Sequence, residues 1–259
     1  MLARIALRVA TIEALKGKTL VGDNVLDSQI GAIDIAADDS LRTDQEKPFI
    51  AVYVDGSKIE DRIDLRSLHK SGSTELTIET GITAAMTETD QETGASTVIG
   101  IGIPATDPAL EFYLDCVGRQ ITTALSDPHD AWSEIWRSLS SSVLKIERKR
   151  TSDAASGTRI AAHQLVITLD LLPDPVFGAP VASTSVWATF FASMEAVEHP
   201  FTETLLELLG DPAGVSETAA IRRRFGLTLD EARALIITPP LAAEATDPDI
   251  TSVTTTQEP

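Results

Sequence analysis

Cysteine is almost missing from this 259-residue chain. Cys116 stands alone, so no disulfide can close within it. It sits in the apolar helical pattern Leu110–Val117, where a buried, inert thiol is expected, because a reactive one needs a nearby base that the sequence does not offer. Long apolar runs are also missing. None approaches the roughly 18 to 20 residues of a membrane-spanning helix, so no membrane partner is expected. The first 16 residues scatter Arg4, Arg8, Glu13 and Lys16 along a helical pattern. They lack the separate charged and apolar regions of a signal peptide, which predicts that the protein is cytoplasmic when made.

Histidine is scarce. His69, His129, His163 and His199 are dispersed, and none has a second His, Cys or carboxylate at a metal-ligand spacing. His163 falls on the more apolar face of a strand and reads as a packed or interfacial histidine. His129 reads as part of a helix start. Catalytic signatures are absent as well. Gly100-Ile-Gly102 lacks the third glycine of a phosphate loop, and Pro104 follows where a helix is needed. There is no Gly-x-Ser-x-Gly elbow, and no Ser-x-x-Lys with its partner motifs. The acid pairs Asp38-Asp39 and Glu60-Asp61 lie in polar stretches and read as solvated loop carboxylates, without the burial that general acid and base roles require. These absences predict a protein that is not an enzyme and takes no cofactor or metal.

Positive charge is the last shortage. Lys and Arg number 21 against 39 Asp and Glu, a net charge of −18, which opposes general nucleic-acid binding through phosphate neutralisation. The imbalance is uneven. From Thr80 to Trp136 there are nine acids and only Arg119 opposes them. Cations gather on the first helix, at Lys145–Arg150 and at Arg222–Arg224. Such segregation suits surfaces that mate with a complementary partner; the plainer reading is ordinary solvated charge.

What is present describes a soluble globular chain: 43% hydrophobic and 23% charged residues, enough for a sizeable core. Leu2, Ile5, Val9 and Ile12 recur at helical spacing, with Gly17 as the expected C-terminal cap. Residues 18–47 read as a long loop with one short strand. Pro48–Val54 is a nearly continuous apolar run and predicts a central strand covered on both faces. Ser73–Thr80 alternates, with Leu76 and Ile78 on one face. Thr87–Ser96 is a polar loop or hairpin tip, and Thr97–Ile103 is another strand. Asp107-Pro108 starts a helix that runs to about Leu125, and Ser126-Asp-Pro128 starts a second through Trp132, Ile135, Trp136 and Leu139.

The most telling stretch follows. The basic run Arg148-Lys-Arg150 ends one strand, small residues Asp153–Gly157 form a loop, and Arg159–Leu172 alternates before stopping at Pro173-Asp-Pro175. In this last strand Ala161, His163, Leu165, Ile167, Leu169 and Leu171 share a face. The result is a β-hairpin with a cationic rim on an acidic protein. The order α-β-β-β-α-α-β-β predicts an α+β fold, a mixed or antiparallel β-sheet with helices packed on it. Beyond a Pro173–Pro180 linker come helical patterns at Ser185–Glu198, Thr202–Leu209, Glu217–Phe225 and Leu229–Ile236. Thr228-Leu-Asp-Glu231 fits a capping box. Glu217–Leu235 has the outline of a helix-turn-helix, but Arg222–Arg224 end its first helix and Asp230 and Glu231 open the second, which suits a compact helical hairpin better than a DNA reader. Ala242–Pro259 is acidic and Thr-rich, as in segments disordered in isolation.

Several strings resemble the tail terminator (tail completion) proteins of long-tailed bacteriophages. They are the helix end Ile12-Glu-Ala-Leu-Lys-Gly17, the strand Pro48-Phe-Ile-Ala-Val-Tyr53, the helix starts Asp107-Pro-Ala-Leu110 and Asp130-Ala-Trp132, and the hairpin return Ser156-Gly-Thr-Arg-Ile-Ala-Ala-His-Gln-Leu165. The resemblance covers residues 1–176. It implies a hexameric ring that caps the tail tube, ends its polymerisation and docks the head connector in the virion neck, with DNA only passing through the lumen. Partners would be further copies of the chain, the tail tube protein and neck proteins. Lys145, Arg148, Lys149, Arg150 and Arg159 become the candidate ring or tube interface. Residues 177–241 form a helical C-terminal extension with no counterpart in plain members of that family, and a sheath or collar protein is its candidate partner; residues 242–259 form the acidic tail. Two alternatives remain: another head-tail connector or a tail tube protein, and a small-molecule enzyme, which a deep pocket lined by His163 or His69 with paired carboxylates would favour.

Overall fold

The computed structural model of the chain describes residues 1–28, 34–35, 41–42, 47–60, 65–89, 96–152, 159–210, 214 and 216–237. The apolar run at Phe49–Val52 becomes the start of strand β4 (Phe49–Lys58), and its four side chains are wholly buried. β4 is flanked on one side by the short parallel strand β1 (Val25–Asp27) and on the other by antiparallel β5 (Gly72–Gly81). Strands β9 (Arg159–Leu171) and β8 (Ser140–Ser152) continue the sheet, giving the order β1-β4-β5-β9-β8. The fold is α+β, as the alternation of patterns predicts.

Register fixes the two faces of this sheet, because residues directly opposite one another share a face. Val52 stands opposite Ile78, Ile78 opposite Leu165, and Leu76 opposite Ile167. That face carries the helices α1 (Leu2–Leu15), α2 (Pro108–Leu125) and α3 (Ala131–Ser138). The other face is built from Tyr53, Glu75, Thr77, Glu79 and Gln164. There Gln164 donates to Glu79 at 3.0 Å and Thr77 to Asp55 at 2.6 Å. Burial, reinforced by Glu79, pushes the Tyr53 hydroxyl well above its ordinary pKa.

Several expectations change. Helix α1 is buried nearly all round: Ala3, Ala6, Leu7, Ala10, Ala14 and Leu15 are fully covered, while Leu2 and Ile5 of the anticipated stripe are only partly so. α1 packs against β4, α2 and α3 at once, and the alanines allow that close approach. Among the described residues, 18–47 hold three short strands where one was expected: β1, β2 (Asp34–Ile35) and β3 (Leu41–Arg42). Thr97–Ile103 supplies β7 (Ser96–Gly102), which leaves the main sheet and joins a second one, β2-β3-β7-β6, with β6 at Ala84–Thr89. This places Gly100 and Gly102 in a strand. Neighbouring strands in sequence found different partners, which periodicity cannot report. The helix expected from Ser126 begins only at Ala131, because Asp130 and not Ser126 caps it, its carboxylate accepting from Ser133 N at 2.8 Å. His129 therefore lies in a turn ahead of the helix. Cys116 is half-buried rather than buried. Asp38, Asp39, Asp61 and residues 242–259 lie outside the described residues.

Beyond β9, the segment 172–185 carries no helix or strand but is anchored. Asp174 accepts from Ala3 N at 2.9 Å and pairs with the amino group of Met1. Helices α4 (Val186–Ala196), α5 (Thr202–Leu209), α6 (Glu217–Phe225) and α7 (Leu229–Ala234) follow. Trp187, Phe190, Phe191 and Met194 of α4 enter the same hydrophobic cluster as α1, α3 and the sheet, with Leu205 and Leu209 of α5. Gly210 ends α5 at φ +77°, and a Cβ there would sit 2.6 Å from the Phe177 ring. On the described residues, no helix is long and apolar enough to cross a membrane.

Candidate functional site

Strand β8 is the edge of the main sheet, and among the described residues it pairs with β9 alone over 13 residues. Among the described residues nothing pairs with the backbone donors and acceptors on its outer side. The strand is exposed almost throughout, including three aliphatic side chains: Val143 at 49%, Leu144 at 55% and Ile146 at 50%. Leu144 sits where the register with β9 slips between Val143 and Lys145. A long edge with three exposed aliphatic side chains is unusual in a monomer, where edges are shortened, covered or blunted by charge.

The four described cations divide by face. Lys145 is opposite Thr168 and Lys149 opposite Gln164, on the face away from the helices. Between them lies Glu147, 2.8 Å from Lys145 and 3.7 Å from Lys149. The hydrogen bond from Lys145 holds the Glu147 carboxyl below its usual range, and the reciprocal contact raises Lys145. Arg148 is opposite Leu165 and Arg150 opposite His163, on the helix-bearing face. The Arg159 backbone pairs with Ser152 at the far end of the hairpin, and its side chain lies outside the described residues. Four of the five anticipated residues are thus brought onto one strand, two per face.

Arg150 is latched. Its guanidinium lies 2.7 Å from Glu111 in the first turn of α2, and the same carboxylate oxygen is 3.2 Å from His163 Nε2. Thr106 donates to the other oxygen at 2.7 Å. The Thr106 hydroxyl, then His163 and Arg150, hold the Glu111 carboxyl below its ordinary pKa against the opposing effect of burial. Glu111 carries this arrangement, and the sequence hid it: an acid in the first turn of a helix already has a sufficient reason to be there. Arg148, by contrast, makes no ion pair among the described residues.

Between α2 and β8 lies a groove of about 430 Å³. Its floor is apolar, from Ile78, Leu114, Ile121 and Leu165, and Arg119, Arg148 and Arg150 stand at its walls. A Cβ on Gly118 would meet no atom within 4 Å, so the groove is open along α2. His163 and Asp115 also line it. The carboxylate beside His163 is Glu111, which is outside the groove lining and already paired with Arg150; the carboxylate that lines the groove is Asp115.

The remaining histidines are dispersed. His69 ends a short 3-10 helix, Leu65–His69, and its carbonyl accepts from Asp174 N at 2.8 Å. It lines a second cavity of about 700 Å³ beside Pro173–Val176, Trp187 and Phe225. His199 Nδ1 accepts from Phe201 N at 3.3 Å, and burial lowers the ring's pKa. No group of three or more potential metal ligands occurs among the described residues. The α6–Gly226–α7 hairpin has the capping box at Thr228 and Glu231. Arg223 is spent on the chain itself, 5.0 Å above the Phe177 ring. No family model matches this sequence, and no curated protein matches it.

Proposed function

We propose that this chain is a structural protein of a phage neck, of the tail-terminator type, whose copies form a ring that caps the tail tube, ends its growth and docks the head connector. The observation that supports the reading is the β8 edge: 13 residues long, exposed, partly aliphatic and cationic on a body of net charge −18. A heterologous contact that closes on itself makes a ring from such an edge and a complementary surface elsewhere on the next copy. Segregated charge then sets register and orientation more than affinity. The site residues in this role are Lys145, Arg148, Lys149 and Arg150, with Arg159 at the hairpin end.

The test is charge reversal followed by counting joined particles. Arg148→Glu with Arg150→Glu is expected to impair the joining of tails to heads. Because Arg150 also holds Glu111, Lys145→Glu with Arg148→Glu is the companion pair that leaves the latch in place. Unchanged yield of infectious particles from both pairs, each folded by circular dichroism, would overturn the role. Negative-stain images of the purified protein separate a terminator, which gives closed rings, from a tail tube subunit, which gives filaments. One observation favours a small-molecule enzyme instead: His163 and Glu111 beside a groove. That reading requires turnover lost in His163→Ala; the groove lining offers it Asp115, Lys149 and the Thr80 and Thr122 hydroxyls, and no Ser or Cys.

A further inference from the structure

The acidic segment at residues 247–256 has the composition that the β8 edge lacks. Ala242–Pro259 contains Glu244, Asp247, Asp249 and Glu258 and no Lys, Arg or His. Within it, Ile250-Thr-Ser-Val-Thr-Thr-Thr256 is rich in β-branched residues, which favour an extended strand. β8 offers the reverse: unpaired backbone groups, exposed Val143, Leu144 and Ile146, and the cations Arg148 and Arg150 two residues apart on one face.

We propose that residues 247–256 of one copy add as an antiparallel strand to the β8 edge of a second copy. Asp247 and Asp249 are also two residues apart, so on a strand they share a face at the spacing of Arg150 and Arg148. Running antiparallel puts Asp247 opposite Arg150 and Asp249 opposite Arg148. Ile250, Thr251 and Val253 then travel down β8 toward Ile146 and Leu144; the parallel direction would carry them away from that aliphatic stretch. Arg148, without an ion pair among the described residues, gains one. Arg150 has donors to spare beyond Glu111. Pro248 falls between the two acids, a position tolerated on a strand that becomes the new edge. Main-chain hydrogen bonds supply affinity and the charge match supplies register. The ten residues that follow Ile237 up to Asp247 span about 33 Å when extended.

The inference rests on the ring reading for the presence of a second copy, but it is tested separately. The full chain is compared with the full-length variant Ile250→Asp/Val253→Asp by hydrogen exchange of the β8 amides and by sedimentation. At concentrations where the wild type associates, amides in 143–150 are expected to exchange at least tenfold more slowly than in the variant. A synthetic peptide of residues 245–258 added to the variant is expected to restore the protection. Asp247→Arg/Asp249→Arg combined with Arg148→Glu/Arg150→Glu is expected to recover association that either pair alone loses. Equal β8 exchange in wild type and variant, with no effect of the peptide, overturns the strand addition even if rings form. Protection that persists on dilution to monomer means that the segment binds its own chain and overturns the exchange between copies. A wild type that never associates defeats the ring reading, while peptide protection of β8 on that monomer still supports the strand site.

Discussion

Replacing Phe190 by alanine tests whether the helices beyond residue 177 form one cooperative unit with the sheet. The ring is 1% exposed and sits in an aromatic cluster. It meets Trp132 edge-on at a centroid distance of 6.3 Å, Trp187 at 6.4 Å and Phe191 at 5.4 Å. Trp132 belongs to α3 and the other two to α4, so Phe190 joins the two parts of the chain. Deleting a buried phenyl ring costs about 3 to 5 kcal/mol through lost transfer energy and the cavity left behind. At this chain length that lowers the melting temperature by about 6 to 20 °C. All three tryptophans, Trp132, Trp136 and Trp187, lie in the main core cluster. Tryptophan fluorescence therefore reports this junction, while far-ultraviolet circular dichroism reports helices and strands everywhere. Both probes are expected to move together through a single transition in Phe190→Ala as in the wild type. A loss below about 1 kcal/mol, or a fluorescence transition that separates from a sheet melting at its original temperature, would refute the shared core.

Four further outcomes follow from the same geometry. Gly118→Ala is expected to stabilise the protein by about 0.5 to 1 kcal/mol, since the helix gains propensity and the new methyl meets open space; denaturant midpoints check it. Gly210→Ala is expected to destabilise it by about 1 to 3 kcal/mol, because the residue is left-handed and its Cβ collides with the Phe177 ring; the same titration reads it. Below neutral pH the His199 contribution declines first. Its folded pKa lies beneath the unfolded value, so the neutral ring's stability is complete above the ordinary histidine range and is lost as pH falls through it. His199→Gln is expected to flatten that limb of the stability curve. Glu111 and Asp130 act at lower pH. Burial opposes ionisation of Asp130, yet Lys18 and Ser133 hold its carboxyl low, and Glu111 is held low by Thr106, His163 and Arg150. Their stabilisation is present above the ordinary carboxylate range and disappears as pH drops through and below it. Glu111→Gln is expected to reduce that acid dependence and to free the Arg150 end of β8, seen as faster amide exchange there.

Local signals suffice where one short-range cause dominates. Asp107 before Pro108 caps α2, its carboxylate accepting from Ala109 N and Leu110 N at 2.8 Å each. Thr228 and Glu231 form the expected capping box. Leu76 and Ile78 share the helix-bearing face, as alternation requires. Such signals do not suffice where partners distant in sequence decide. Two cap candidates, Ser126 and Asp130, compete four residues apart, and Lys18 from the first turn of the chain pairs with the second. Likewise β7 has the composition of a main-sheet strand but pairs with β6 and β3.

The candidate site divides in the same way. The sequence alone determined that Lys145–Arg150 is a strand of cations on an acidic chain, and alternation alone sent Lys145 and Lys149 to one face and Arg148 and Arg150 to the other. Only the tertiary structure decided that this strand is the sheet's edge, that Glu111 from a helix 52 residues before His163 grips Arg150, and that Arg148 stands over an open groove. Periodicity is a property of neighbours along the backbone and so is written in the residues themselves. Edge position and ion-pair choice are set by which distant segments close around the core, and that is decided by the whole chain burying its apolar surface at once.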